Sequence, residues 1–257
     1  MSRLLEVEGL GKSFRGLKAI SGLSFHVAEG EIFGLIGPNG AGKTTAINLI
    51  GGALKPDVGE VRFCGARVTG LPPHQLVRRG LVRTFQATNV YPSRTVWENA
   101  YRGAFAVAYA GFWHAFWNTA RSRERQREVR QRIDHLLHEL GLAAVAESAA
   151  GSLPYGYQKT LGLVIALAAS PHLIMLDEPA AGLNAEEAAH VSTVIRKINA
   201  KGVSVIVVDH NMRFISSICN RVVVLHHGSE LALGTPTEVI ADRRVIEAYL
   251  GTEYEPA

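Results

Sequence analysis

The run Gly37-Pro38-Asn39-Gly40-Ala41-Gly42-Lys43-Thr44, with Thr45 behind it, has the pattern G-x-x-x-x-G-K-[ST]. Its glycines let backbone N–H groups turn inward around phosphate oxygens with no Cβ in the way. A helix starting near Lys43 points the positive end of its dipole at the same anions. Lys43 is then placed to reach β- and γ-phosphates, and the Thr44 hydroxyl to ligate Mg²⁺. The pattern is short enough to occur by chance. Here the apolar stretch Glu31–Ile36 reads as a strand leading into it, so the strand–loop–helix context that the chemistry needs is present.

A second group of oxygen donors follows far downstream. Leu173-Ile174-Met175-Leu176-Asp177-Glu178 reads as an apolar strand ending in two acids, at the sheet edge where α/β proteins bind ligands. Acids at strand ends are commonly just solvated. With a phosphate loop upstream, Asp177 is placed to hold Mg²⁺ through water and Glu178 to orient or deprotonate an attacking water. Hydrolysis of ATP or GTP is the class of reaction these residues support.

The elements that must position them can be traced along the chain. Glu31–Ile36, Leu81–Phe85, Leu173–Leu176, Val203–Val208 and Arg221–Leu225 are of strand length and nearly continuously apolar, as strands covered on both faces are. Helical patterns separate them, which predicts a largely parallel sheet with right-handed crossovers. Leu4–Val7, Ser24–Val27 and Val58–Phe63 read as shorter strands of an antiparallel layer. Between Ser93 and Leu142 the periodicity is helical. Ile133, Leu136, Leu137 and Leu140 fall on one face, and Gly141 is placed to end that helix. The expectation is a single α/β domain over 1–257, with core segments 1–92 and 171–257 and a helical subdomain at 93–170.

Bulk properties narrow the class further. The formal charge of +4 comes entirely from Arg121–Arg132, whose six arginines and two glutamates leave the rest of the chain neutral. One basic helix is no nucleic-acid footprint, so no nucleic-acid partner is expected. It reads either as a solvated face, with Glu124–Arg127 and Glu128–Arg132 at helical neighbour spacing, or as a contact for anionic lipid or a membrane partner. The aromatic segment Tyr101–Trp117 is open in the same way. It reads as core of the helical subdomain, or with Trp113, Phe116 and Trp117 as a membrane-facing surface. The two cysteines, Cys64 and Cys219, lack metal-ligand spacing and suit a reducing compartment. No window approaches the roughly 18 apolar residues of a membrane span, and the N-terminus does not read as a signal peptide.

In joint order, Phe14, the phosphate loop, Gln86, Asp177-Glu178 and His210 resemble the ABC ATPase family from end to end. Singly, a phenylalanine, glutamine or histidine is far more often structural. The resemblance implies that Phe14 stacks on adenine, that Gln86 touches Mg²⁺ and the attacking water, and that His210 contacts the γ-phosphate. ATP and Mg²⁺ are the implied cofactors. The family's signature segment, usually Leu-Ser-Gly-Gly-Gln, corresponds to Leu153-Pro154-Tyr155-Gly156-Tyr157, where only Leu153 and Gly156 match. Gly156 suits close approach of a phosphate at the start of a helix expected over Thr160–Ala169. Pro154 replaces the serine that would bond the γ-phosphate.

The family resemblance also implies a head-to-tail dimer in which each nucleotide lies between one chain's phosphate loop and the other's signature segment. Ala181-Gly182-Leu183-Asn184 corresponds to the dimer-contact loop, with Asn184 where an aspartate is commonest. More narrowly, Gly70-Leu71-Pro72-Pro73-His74, Arg83-Thr84-Phe85-Gln86, Thr95-Val96-Trp97-Glu98-Asn99, Asp177–Asn184 and Ala248-Tyr249-Leu250-Gly251 resemble the subunits that serve branched-chain amino acid uptake. Implied partners are a second, unlike ATPase subunit, two integral membrane permeases and, indirectly, a periplasmic or extracellular binding protein. The implied location is cytoplasmic, on the inner face of the membrane. A DNA-repair or translation ATPase would need a long coiled coil or a second ATPase domain, and no sustained heptads occur. Against a merely regulatory nucleotide-binding subunit stand Lys43, Asp177, Glu178 and His210.

Overall fold

The computed structural model describes residues 2–84, 90–105 and 120–250. Its centre is a six-stranded sheet built from β3 (Ile32–Ile36), β6 (Leu81–Arg83), β7 (Leu173–Asp177), β8 (Ser204–Val208), β9 (Arg221–His226) and β10 (Ser229–Gly234). The spatial order is β10-β9-β3-β8-β7-β6, parallel throughout except for β10, which returns antiparallel along β9.

The continuous apolar runs have a simple cause. Successive side chains along a strand alternate between two cores. Ile32, Ile36, Ile174, Leu176, Val205, Val207, Val222 and Val224 face one hydrophobic cluster. Phe33, Leu35, Leu173, Met175, Ile206, Val208, Val223 and Leu225 face the other.

The second cluster is closed by a four-stranded antiparallel sheet, with β1 (Arg3–Phe14), β2 (Leu17–Ala28), β4 (Val58–Phe63) and β5 (Ala66–Arg67) in the order β2-β1-β4-β5. Phe25 of β2 stacks on Phe33 of β3 at 5.1 Å between ring centres. Between the sheets lies α1 (Lys43–Ile50), which buries Ala46, Ile47, Leu49 and Ile50. A short helix, α2 (Pro73–Arg78), leads into β6.

The first cluster is covered by helices: α3 (Val96–Gly103), α4 (Ala120–Glu139), α5 (Tyr155–Ala168), α6 (Ala185–Ala200) and α7 (Met212–Ile218). Two short helices follow, α8 (Pro236–Ala241) against β9 and β10 and α9 (Arg243–Leu250) against β10. Helix α4 buries Val129, Ile133 and Leu137. It ends as the sequence predicts, with Gly141 at φ 75° and the Leu142 N–H returning to the Leu137 carbonyl at 2.7 Å. On its basic face Arg132 donates to Ser170 rather than pairing with Glu128. The Arg130 guanidinium lies 5.5 Å from the centre of the Trp97 ring.

Four expectations need correcting. β1 and β2 each span 12 residues, not the short Leu4–Val7 and Ser24–Val27, because register shifts and glycines at positive φ break their alternation. β5 and the antiparallel edge strand β10 were not anticipated. β10 leaves much of its surface half-exposed, so it lacks the apolar run that marks a central strand. β6 ends at Arg83, short of the expected Phe85: Thr84 is no longer strand, although its N–H still donates to the Met175 carbonyl at 2.9 Å, and Phe85 lies outside the described residues. Helix α5 starts at Tyr155, five residues before the expected Thr160, because Pro154 holds the extended backbone of an N-cap at φ −52° and ψ 150° and the Gln158 N–H closes the first turn on its carbonyl at 3.1 Å. Trp113, Phe116 and Trp117 also lie outside the described residues. Among those described, no helix is long and apolar enough to cross a membrane.

Candidate functional site: a phosphate loop at the sheet edge

The C-terminal ends of β3, β7 and β8 open side by side, and the loops that leave them carry most of the residues singled out above. From β3 the chain enters the glycine loop. Gly37 has φ 151°, and a Cβ on it would stand 2.2 Å from the Leu225 carbonyl. Gly42 caps α1 at φ 103°, where a Cβ would stand 2.7 Å from the Ala19 carbonyl of β2. Neither position can hold a side chain, so strands β2 and β9 press directly on the loop. The turn after β9 adds a tie, with Gly228 N–H donating to the Ala41 carbonyl at 2.9 Å.

Helix α1 has no acidic residue in its first turn, which leaves its positive end for an external anion. Lys43, the first helical residue, is buried at 7% exposure, and its Nζ donates to the carbonyls of Gly37 at 2.7 Å and Pro38 at 2.9 Å. Burial lowers its pKa, an effect opposed in turn by Glu178, Asp209 and Asp177. The lysine thus arches over the loop toward three carboxylates. Thr44 is exposed and Thr45 half-buried.

Asp177 is the last residue of β7 and is buried. Its Oδ2 accepts from Arg83 Nη2 at 2.9 Å, while Arg83 Nη1 donates to Asn48 of α1. Arg83 was noticed only as part of a resemblance. A charged residue closing an apolar strand was the signal of a buried partner for an acid. Glu178 follows at φ 49°, its N–H donating to the Val208 carbonyl at 2.8 Å. This turn swings its carboxylate to 3.7 Å from His210 Nδ1.

His210 is half-exposed beyond the end of β8. Asp209 before it is buried, and its Oδ1 accepts from the N–H groups of His210 at 2.8 Å and Asn211 at 2.9 Å. Burial pushes the Asp209 carboxyl upward, against those backbone hydrogen bonds and the His210 charge. Sequence reasoning missed Asp209. It stood beside a chosen histidine, and only the fold reveals that it is enclosed.

Lys43, Asp177, Glu178 and His210 are therefore brought together. Phe14 ends β1 at a hairpin tip, exposed, with Lys12 Nζ 5.8 Å from its ring centre. Leu153 and Gly156 lie at the start of α5, where Gly156 packs against Glu187 of α6. Asn184 caps α6 by accepting from Glu187 N–H at 2.9 Å, and the Glu187 carboxylate accepts from Asn184 N–H at 3.0 Å. Gln86 lies outside the described residues.

The donor set suits Mg²⁺. Among the described residues no group of three or more His, Cys, Asp or Glu could hold a metal by itself. One carboxylate and one hydroxyl beside a phosphate loop are what a hard cation carried mainly by nucleotide phosphates needs.

Known proteins resemble this chain over nearly its whole length. The family described as "ABC transporter" matches residues 20–181, and the family "Branched-chain amino acid ATP-binding cassette transporter" matches residues 230–255. The high-affinity branched-chain amino acid transport ATP-binding protein BraF of Pseudomonas aeruginosa is 38% identical over 253 residues, covering 98% of this chain and 99% of its own. The lipopolysaccharide export system ATP-binding protein LptB of Acidithiobacillus ferridurans is 34% identical, covering 99% of this chain and 100% of its own. Among solved structures, the ADP conformation of an ATP-binding cassette from an ABC transporter superposes with a TM-score of 0.87 at 29% identity, covering 98% of this chain and 100% of that one.

Proposed function

The chain belongs to the ATP-binding, ATP-hydrolysing subunits of ABC transporters, and on that premise we propose that it powers uptake of branched-chain amino acids or related small solutes. Full-length similarity to BraF, together with the branched-chain family match at 230–255, carries the assignment. LptB covers the chain equally well at lower identity, so lipopolysaccharide export is the second reading.

In this proposal the core segments 1–92 and 171–257 hold the nucleotide, and 93–170 forms the helical subdomain with the signature segment. Phe14 stacks on adenine. The backbone from Gly37 to Gly42 cradles the phosphates, and Lys43 turns from the loop carbonyls to the β- and γ-phosphate oxygens. Mg²⁺, when bound, neutralises phosphate charge. Thr44 and Asp177 are the residues that would hold it, together with Gln86.

Glu178 orients the attacking water and accepts its proton, while His210 supports Glu178 and contacts the γ-phosphate. Leu153 and Gly156 serve the nucleotide of a second, unlike ATPase subunit docked head to tail. Two membrane permeases complete the assembly at the inner face of the cytoplasmic membrane, supplied by a binding protein on the other side. ATP closes the dimer, hydrolysis releases it, and differential binding couples the two states to transport.

The test is reconstitution in liposomes with the two permeases, the second ATPase subunit and the binding protein. Leucine-loaded binding protein should stimulate ATP hydrolysis and drive leucine inward. Hydrolysis stimulated by lipopolysaccharide instead would select the export reading.

A further inference from the structure

Asp57 takes no part in the chemistry above, yet its carboxylate holds the strand tip that carries Phe14. β1 lies between β2 and β4, and its pairing with β4 stops at Gly11 and Val58. Asp57, the residue before β4, donates its N–H to the Gly11 carbonyl at 2.9 Å. Beyond that point Lys12, Ser13 and Phe14 overhang the end of β4. The pairing with β2 is irregular at the same place, with a register shift between Lys12 and Ser13.

The Asp57 side chain bridges this gap. Its Oδ2 accepts from the Ser13 N–H at 2.8 Å, continuing along β1 the hydrogen bonding that β4 no longer supplies. Its Oδ1 accepts from Lys12 Nζ at 2.7 Å, and that ammonium lies 5.8 Å from the centre of the Phe14 ring. The Lys12 bond, and then the Ser13 bond, hold the Asp57 carboxyl below its ordinary pKa, so it stays a charged acceptor at every physiological pH. One carboxylate thus fixes both the backbone just before Phe14 and the cation beside its ring.

The Lys12 and Asp57 side chains are 18% and 47% exposed. An ion pair this open to water adds little to global stability. Its effect falls instead on the freedom of an exposed hairpin tip. Stacking on a flat base needs the ring held in one orientation, and a tip already held there loses less freedom on binding.

We propose that Asp57 is a positioning residue for nucleotide: by binding Lys12 and the Ser13 N–H, it holds Phe14 in the orientation that receives adenine. This role rests on the reading that Phe14 stacks on adenine.

The experiment is calorimetry of the full-length chain with ATP and with inorganic tripolyphosphate, each with Mg²⁺. The variants are Asp57→Ala, Asp57→Asn, Phe14→Ala and the double variant Asp57→Ala/Phe14→Ala. Asp57→Ala should weaken ATP about three- to tenfold, the scale of one lost hydrogen bond, and leave tripolyphosphate unchanged. Asp57→Asn keeps an acceptor for Ser13 but not the charge facing Lys12, and should recover part of that loss. The double variant should bind ATP no more weakly than Phe14→Ala alone, because Asp57 acts only through the ring. The melting temperature of nucleotide-free Asp57→Ala should stay near that of the unmodified chain. Unchanged ATP affinity in Asp57→Ala, equal losses for ATP and tripolyphosphate, or losses that add in the double variant each overturn the role. So does a large fall in melting temperature, because Asp57 would then hold the fold and not the tip. If Phe14→Ala weakens ATP and Asp57→Ala does not, only the role of Asp57 fails. If Phe14→Ala leaves ATP affinity unchanged, the adenine assignment fails and the role of Asp57 with it.

Discussion

His210 Nδ1 stands 3.7 Å from the Glu178 carboxylate, across the gap between the ends of β7 and β8. The contact follows from strand register. Asp177 pairs with Val208, so the residues just beyond each strand end emerge as neighbours. The φ of 49° at Glu178 then turns its side chain toward the histidine and away from the sheet. A non-glycine residue in this conformation is strained, and such strain is characteristic of functional sites.

Glu178→Gln should preserve this geometry, since an amide has the shape of the carboxylate. Nucleotide binding should survive. Hydrolysis should slow by roughly two orders of magnitude or more, as loss of a general base does. Phosphate release and nucleotide affinity, measured separately in the assembled transporter, distinguish the two. The variant should also accumulate as a closed, ATP-bound dimer. Near-normal turnover would remove Glu178 from the role proposed for it.

Arg83 is expected to matter through Asp177 without touching nucleotide. Their side chains are 12% and 7% exposed, so the pair sits out of water. Arg83→Met would leave a buried carboxylate uncompensated and free Asn48 of α1. Breaking a buried pair from one side costs about 3–5 kcal/mol. Urea unfolding of the nucleotide-free chain measures this directly. A loss under about 1 kcal/mol, the scale of an exposed pair, would show that Asp177 is already satisfied by solvent.

The thiols should differ in reactivity. Cys64 is exposed and Cys219 buried. Burial, with Asp209 and Glu31 adding to it, pushes the Cys219 thiol up to about 12, so almost none is thiolate between about pH 7 and 9. The Cys64 pKa is also raised, by partial desolvation and then Glu29. Alkylation between about pH 7 and 9 should therefore stop at one site per chain, Cys64, and should run slower there than with a free thiol. Mass spectrometry locates the label. Rapid native labelling of Cys219 would mean that the connection between α7 and β9 opens readily.

The readability of the sequence followed the physics of each feature. The central strands were legible because two cores demand apolar side chains on both faces, as in Val205–Val208. β1 and β2 were read too short because Gly9 and Gly22, at positive φ, interrupt their alternation without ending the strands. Lys43, Asp177 and Glu178 stood out through local pattern. Arg83 and Asp209 did not, since a partner 94 residues away and an enclosed carboxylate are properties of the packed chain.

The last prediction concerns unequal nucleotide sites, and it starts from Pro154. The structure makes this residue the cap of α5, with φ −52° and no side-chain hydrogen bond to the helix. A serine there would cap the helix, worth about 1 kcal/mol. Across a dimer interface it could instead give its hydroxyl to a γ-phosphate, and hydrogen bonds to charged groups are worth about 1.5–3 kcal/mol. Proline offers neither. What remains is the helix dipole and the backbone N–H groups after it, next to Tyr155 and Tyr157, whose side chains are exposed. We therefore expect a heteromeric dimer. The site containing Lys43, Asp177 and Glu178, served by the partner's signature, should perform most hydrolysis, and the site served by Leu153–Tyr157 should hold ATP longer. Disabling the catalytic glutamate of each subunit in turn, in the reconstituted transporter, measures the split. Glu178→Gln should abolish most turnover, and the matching change in the other subunit should cost far less. Equal losses would refute the asymmetry, as would vigorous ATP hydrolysis by a homodimer of this chain alone.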